Sequence, residues 1–344
     1  MASDLFYSIT PDIVITSAER AGFKPTGHCM TLNSYENRVY DLKMENGQHF
    51  VLKFYRPNRW SKEQILEEHE FLYELQDNEI PVCAPIKFQD NTSIKEIEGI
   101  FYAIWPRTGG RSSAEFSDTD LEILGRYVAR IHNTGASKKS SARIQLNEST
   151  YGSNPLDFII QNNFLPIHLE KRYTTAANEL MDIYKKLKEG IPVHRIHGDC
   201  HPGNLLNGTE GWFFLDFDDF LTGPAVQDCW MLFSDRDVEG IRQRRIFIDA
   251  YRQFREFDEK WFSLVEPLRA LRYIHYSGWV AKRWSDPAFK TAFSWFGNDD
   301  YWERETIDLE KQLQYIYDNT EILSGCTKEP EKELTNKDFF WDME

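Results

Sequence analysis

Ile196–Leu206, IHGDCHPGNLL, followed by Phe214–Asp219, FLDFDD, is the part of this 344-residue chain that decides the fold. It sets Asp199, Asn204 and Asp216 in the order Asp-x4-Asn, then an Asp twelve residues on. A carboxylate can accept a hydroxyl proton, while an amide oxygen and a second carboxylate are hard ligands suited to magnesium. Phosphoryl transfer asks a protein for little beyond positioning and charge neutralisation. Asp199 is therefore the candidate base, Asn204 and Asp216 are the candidate metal ligands, and Asp216 counts among the catalytic residues as well.

Local chemistry gives these three a reason to converge. Pro202-Gly203 stops a regular helix from running through the loop. Leu205-Leu206 and Trp212–Leu215 read as short strands joined by a turn at Asn207-Gly208, which returns Asp216 to the end of the sheet where Asn204 sits. Asp218, Asp219 and Asp228 read as loop anchors, solvated acids or support for the site. His197 reads as a packed histidine that orients the loop through a backbone bond.

The amino-terminal third supplies a cation. Phe50–Tyr55, FVLKFY, is an apolar strand with Lys53 inside it, a position that costs free energy unless the charge is used. An edge-strand lysine turned to water is the competing reading. Ser61 reads as the N-cap of a helix running to Leu75, ended by Asp77-Asn78 and Ile80-Pro81.

HGD-x-H-x-x-N followed by LDFDD resembles the catalytic and metal loops of the aminoglycoside-phosphotransferase/choline-kinase branch of kinase-like enzymes. The resemblance implies an α+β, bilobal protein-kinase-like fold, with a small, mainly β N-lobe carrying one key helix and a larger, mainly helical C-lobe. It implies ATP and Mg2+, with Asp199 as catalytic aspartate and Asn204 and Asp216 on the metal. It also implies that Lys53 meets the α- and β-phosphates and pairs with a helix glutamate. Register against that family's E-x6-L pattern selects Glu68, with Leu75 as its leucine, over Glu67 and Glu70. Ser34, in the segment LNSYENRVY at 32–40, takes the place of a phosphate-covering loop without any G-x-G-x-x-G. Backbone from Ile104 to Arg107 takes the place of the interlobe hinge that meets adenine. The loop departs from ordinary protein kinases in reading HGD rather than HRD.

NSYENRVY at 33–40, KFYRPNRW at 53–60, HGDCHPGNLL at 197–206 and LDFDDFLTGPAVQD at 215–228 resemble, more narrowly, the bacterial stress-response kinases of the YihE/RdoA type. That resemblance implies a cytoplasmic serine/threonine protein kinase acting on protein hydroxyls, its own included. Two alternatives stand beside it. One is a small-molecule hydroxyl kinase of the aminoglycoside, choline or homoserine kind. The other is a metal-dependent phosphoesterase using HGD-x-H as ligands, which would leave Lys53 unused and lacks a second histidine motif.

Composition narrows the rest. A net charge of −15 disfavours nucleic-acid partners. No apolar run reaches membrane-spanning length, and the start lacks a secretory pattern. Five cysteines without C-x-x-C spacing suit a reduced compartment better than a disulfide framework or a zinc site. Expected organisation is an N-terminal nucleotide lobe at 1–106, a catalytic lobe at 107–324 and a flexible acidic tail at 325–344, in a monomer. Leu121, Leu124, Val128 and Ile131 mark a helix after Ser117. Asn133–Pro155 reads as a long connection. Tyr273, Tyr276, Trp279, Trp284, Trp295 and Trp302 read as helical core rather than an acceptor groove.

Overall fold

The computed structural model describes residues 2–319 apart from 33, 114, 234 and 235, so the expected tail at 325–344 lies outside the described residues. Two helices, α1 (Ala2–Tyr7) and α2 (Pro11–Arg20), lead into a five-stranded antiparallel sheet in the order β1-β2-β3-β5-β4. Its strands are β1 (Pro25–Leu32), β2 (Arg38–Met44), β3 (His49–Phe54), β4 (Lys95–Ile97) and β5 (Ile100–Pro106), with α3 (Lys62–Asp77) inserted after β3. Thr10 caps α2 through Ile13 N, with Pro11 in the first turn. Strand alternation then sorts β3: Leu52 and Phe54 are sealed against Val14 and Ala18 of α2, while Val51 and Lys53 face the other way. Burying each such core side chain contributes about 1.5–3 kcal/mol.

The remainder is mainly helical, and the chain has the expected α+β, two-part architecture. Its helices are α4 (Asp118–Ser137), α5 (Asn154–Gln161), α6 (Ile167–Leu187), α7 (Val226–Trp230), α8 (Val238–Tyr251), α9 (Val265–Lys282), α10 (Pro287–Ala292) and α11 (Asp299–Asp318). Two small sheets carry the loops of interest: β6 (Val193–Ile196) pairs with β9 (Leu221–Pro224), and β7 (Leu205–Gly208) with β8 (Gly211–Phe214). No helix among the described residues is long and apolar enough to cross a membrane.

Three local expectations need correction. Asn207-Gly208 is not the hairpin turn: Asn207 pairs with Trp212 and Gly208 with Gly211, so the chain reverses at Thr209-Glu210. Asn207 also exchanges both backbone bonds with Arg111, and that second partner holds it extended. The connection after Asn133 is shorter than expected, because α4 continues through Gly135 to Ser137. Gly135 survives in the helix because the Arg195 carbonyl oxygen lies 2.0 Å from where a Cβ would stand. The aromatic residues divide: Trp302 is fully buried and Trp284 packs on the core, but Tyr276 and Trp279 line the interlobe cleft.

One partly buried acid in the helical part has a pH signature. Burial pushes the Glu305 carboxyl up to about 7, against a hydrogen bond from Ser277, with Asp308 adding to the rise. A carboxyl raised in the folded state holds its proton there longer than in the unfolded chain, so stability falls as pH rises through about 7. Glu305→Gln is expected to melt higher than the parent at about pH 8 and to narrow the gap between about pH 5.5 and 8, read by calorimetry. An unchanged gap would contradict this.

Candidate active site

A cleft of about 760 Å³ runs between the sheet and the helical part, a size that suits a nucleotide and more. All the predicted site residues except Ile104 line it. Ile104 is fully buried in the core of the sheet, and its carbonyl accepts from Ile86 N at 2.7 Å, so it is removed from the set. Arg107 does line the cleft, but its backbone N–H is taken by His49 O at 3.2 Å and its guanidinium by Asp41 at 2.8 Å. Trp105, Pro106 and Thr108 are its neighbours on that wall.

Lys53 reaches across from β3 to two carboxylates, Glu68 Oε1 at 3.3 Å and Asp218 Oδ1 at 3.2 Å. Ser61 caps α3 with a full capping box to Gln64, which fixes the helix phase and turns Glu68 inward with Ile65, Leu72 and Leu75. Glu68 is the partner; Glu67 and Glu70 are not. Burial pushes the Glu68 carboxyl up to about 7, opposed by Lys53 and Arg143, while Asp218 adds to the rise. Glu67 instead accepts from the backbone N–H groups of Ser141, Ala142 and Arg143 and from the Ser140 hydroxyl. It thereby seats a strap whose Arg143 stacks on Trp60 and Phe220 and lies 3.4 Å from Glu68. Glu67→Ala is expected to cost about 1–3 kcal/mol and to loosen the Lys53–Glu68 pair. A denaturant titration checks the first effect and nucleotide affinity the second.

The loop bearing Asp199 is pinned from behind. Asp228 accepts from the N–H groups of His197 and Gly198, both at 2.8 Å, and holds His132 on its other side at 2.9 Å. Gly198 sits at φ +83, and the Asp219 carbonyl lies 2.6 Å from any Cβ added there. The departure from HRD to HGD thus has a steric cause. His197 is buried and donates through Nε2 to Leu215 O, 2.8 Å away, as a packed orienting histidine. Leu215 N bonds Asn204 O at 2.9 Å, so one residue ties the two loops together immediately before Asp216.

Asn204 turns its amide nitrogen back to Asp199, 3.0 Å from the carbonyl oxygen and 3.4 Å from Oδ2. Its amide oxygen is then the group left for the cleft. Asp216 has φ 55 and ψ 63, a left-handed conformation that a non-glycine residue adopts at some cost. Its carboxyl opens to the cleft. The crowded wall behind it raises its pKa, against the pull of Lys53, and the negative charges of Asp218 and Asp219 add to the rise. An amide oxygen and a carboxylate form a hard donor pair. Among the described residues no group of three or more His, Cys, Asp or Glu gathers as a cage. Two protein donors suit a magnesium-like ion that keeps waters and takes phosphate oxygens, so the residues present fit one.

Of the three roles read for Asp218, the structure favours support of the site: it is buried against Lys53, Arg59 Nη1 at 2.5 Å and Asn37 Nδ2 at 3.2 Å. Burial would raise its carboxyl, yet Lys53 and Arg59 hold it well below the usual range. Asn37 belongs to the segment between β1 and β2, where Ser34 Oγ accepts from Asn37 N at 3.2 Å and can still donate its own proton. Next to it Glu36 takes Trp279 Nε1 and Arg283 Nε, each at 2.6 Å, from α9 and the residue after it. The segment between β1 and β2 is therefore tied to both walls of the cleft.

A family model described as the phosphotransferase enzyme family matches residues 29–263, more than half of the chain. The chain belongs to the phosphotransferase enzyme family. Within it, Stress response kinase A of Escherichia coli (strain K12) is 38% identical over 312 residues, covering 90% of this chain and 94% of that protein. Serine/threonine protein kinase RdoA of Salmonella typhimurium (strain LT2) is 36% identical over 314 residues, covering 91% and 95%. These relatives place the chain in the stress-response-kinase branch and support kinase activity. Solved phosphotransferases share the fold. Amicoumacin kinase hAmiN, in complex with AMP-PNP, Ca2+ and Ami, has a TM-score of 0.69 at 20% identity, covering 90% of this chain and 95% of its own. A microcompartment-associated aminopropanol kinase has 0.66 at 16%, covering 90% and 99%.

Proposed function

We propose that this phosphotransferase is an ATP- and magnesium-dependent serine/threonine protein kinase that acts in the cytoplasm as a monomer. Ser34 and Lys53 would hold the phosphates, with Glu68 and Asp218 keeping the Lys53 ammonium in place. Asn204 and Asp216 would hold the metal, which supplies charge neutralisation on the phosphates when bound. Asp199 accepts the proton of the attacking hydroxyl as its oxygen bonds to the γ-phosphorus and the bond to the β–γ bridging oxygen breaks, releasing ADP. The lobe boundary at Pro106 belongs to the same reading.

One observation carries the choice of acceptor. The carboxylates on the α9 side of the cleft are already paired with arginines: Glu36 with Arg56 and Arg283, Asp219 with Arg59, and Asp199 with Arg272. An amine acceptor would have to displace an arginine to find a negative partner. A neutral hydroxyl on a peptide needs no such exchange. The relatives named as stress response and serine/threonine kinases support the same choice.

The aromatic wall favours a second reading, a small-molecule amino-alcohol kinase. Tyr276 and Trp279 stack with centroids 5.7 Å apart, and aromatic faces attract ammonium groups. Against it, Arg283 already lies over the Trp279 ring at 5.3 Å and Glu36 takes its N–H. Incubation with γ-labelled ATP, mixed protein substrates and a panel of amino alcohols and aminoglycosides separates the two. Label in phosphoserine or phosphothreonine supports the protein kinase; label confined to amines supports the second reading.

A further inference from the structure

Arg272 so far figures only as an arginine that neutralises a cleft carboxylate, yet its guanidinium lies at the candidate base. Its Nη1 is 2.9 Å from Asp199 Oδ1. That approach is an ion pair without hydrogen-bond alignment, and Oδ1 is otherwise buried with no hydrogen-bond partner. The other oxygen, Oδ2, faces Asn204 Nδ2 and His201 Nε2, each at 3.4 Å. The carboxylate is thus held at its two ends by groups from two different elements. Asn204 and His201 come from its own loop, and Arg272 comes from α9.

The mounting of Arg272 is rigid. Leu268, Leu271 and Ile274 of α9 are buried around it, and Gly278 lets the helix close on Pro155, which lies 2.5 Å from where a Cβ would stand. Met231 Sδ lies 3.8 Å from the same Nη1. The guanidinium itself is part-exposed and lines the cleft. A side chain with a buried base and its charged tip in the cleft is placed to set the orientation of a neighbour.

We propose that Arg272 is the positioning residue of Asp199. By pinning the buried Oδ1 from α9, while Asn204 and His201 flank Oδ2, it sets the orientation in which the carboxylate meets the acceptor hydroxyl. Asp228 fixes the backbone of the same loop, so backbone and side chain have separate anchors. The proposal rests on Asp199 acting as the base, and it extends that reading to a residue 73 positions away, outside every motif of the loop.

Arg272→Met keeps the stem and removes the charge. With γ-labelled ATP and a protein substrate, it is expected to lower kcat by about 10–100-fold, the scale of losing alignment at a reacting group. KM for ATP and for the acceptor should stay within about 2-fold, on the same argument that only the reacting geometry changes. Arg272→Lys should recover most of the rate, and Arg272→Met should add nothing in an Asp199→Asn background. Several outcomes overturn the proposal: an unchanged kcat, a loss expressed in KM for ATP (a phosphate contact), or a loss expressed in KM for the acceptor (an acceptor contact). A full further loss on top of Asp199→Asn, or no recovery by lysine, overturns it as well. Should the methionine variant fail to melt cooperatively, Arg272→Gln is read by the same criteria. An unmutated chain that transfers no label from ATP would bring down the base assignment itself, and this proposal with it; an active parent with an equally active Arg272→Met brings down this proposal alone.

Discussion

Asp199→Asn is expected to lower phosphoryl transfer by about 10²–10⁴-fold, the range that a positioned general base contributes, while nucleotide affinity stays close to the parent's. Asparagine keeps the size and the backbone bonds of the loop. The bond from Asn204 Nδ2 to the residue-199 carbonyl does not involve the carboxylate, and Asp228 still holds the N–H groups of His197 and Gly198. What is lost is an oxygen able to take a proton. Lys53 and Glu68 come from the sheet side and, with Asp218, make no contact with the Asp199 side chain, so ATP should still be held. Turnover is read with γ-labelled ATP and affinity by calorimetry. Near-normal turnover would remove Asp199 from the mechanism; lost nucleotide affinity would make it a binding residue.

Asp218→Ala is expected to cost about 3–5 kcal/mol of stability, because removing one partner of a buried charge group leaves the others uncompensated. Lys53 and Arg59 retain side-chain exposures of only 12% and 8%, so water cannot replace the missing carboxylate. Residual partners place the effect toward the lower end: Lys53 keeps Glu68, and Arg59 keeps Asp219 and Glu36. Asn37 would lose its bond to the turn after β8, so the segment between β1 and β2 should loosen and, on the proposed reading, KM for ATP should rise. Denaturant unfolding gives the stability and a nucleotide titration gives the affinity. A change below about 1 kcal/mol, the scale of a surface ion pair, would show that the cluster is solvated.

Much of the site was legible where the chemistry is local. Ser61 and Ser117 cap the helices that begin one residue later. Helix phase then brings Glu68, and not Glu67, to Lys53. Asp199, Asn204 and Asp216 lie within 18 positions of one another, and a short hairpin suffices to bring them together. What escaped depends on approaches between distant segments. Arg59 meets Asp218 across 159 positions and Trp279 meets Glu36 across 243, and nothing in one sequence records which cation finds which acid. Asn207-Gly208 carries a turn signature, but Arg111 supplies a strand partner from another part of the chain. Ile104 lies in the hinge strand, yet strand alternation sends its side chain into the core and Ile86 takes its carbonyl.

The central claim is that the cleft moves the γ-phosphate of ATP onto protein hydroxyls through Asp199. Quantitative mass spectrometry of phosphosites, in cells producing the parent chain against cells producing Asp199→Asn, tests it most directly. The account predicts phosphoserine or phosphothreonine sites on proteins that are present with the parent and lost with the variant. Identical protein phosphosites in the two, with a difference confined to phosphorylated metabolites, would contradict it.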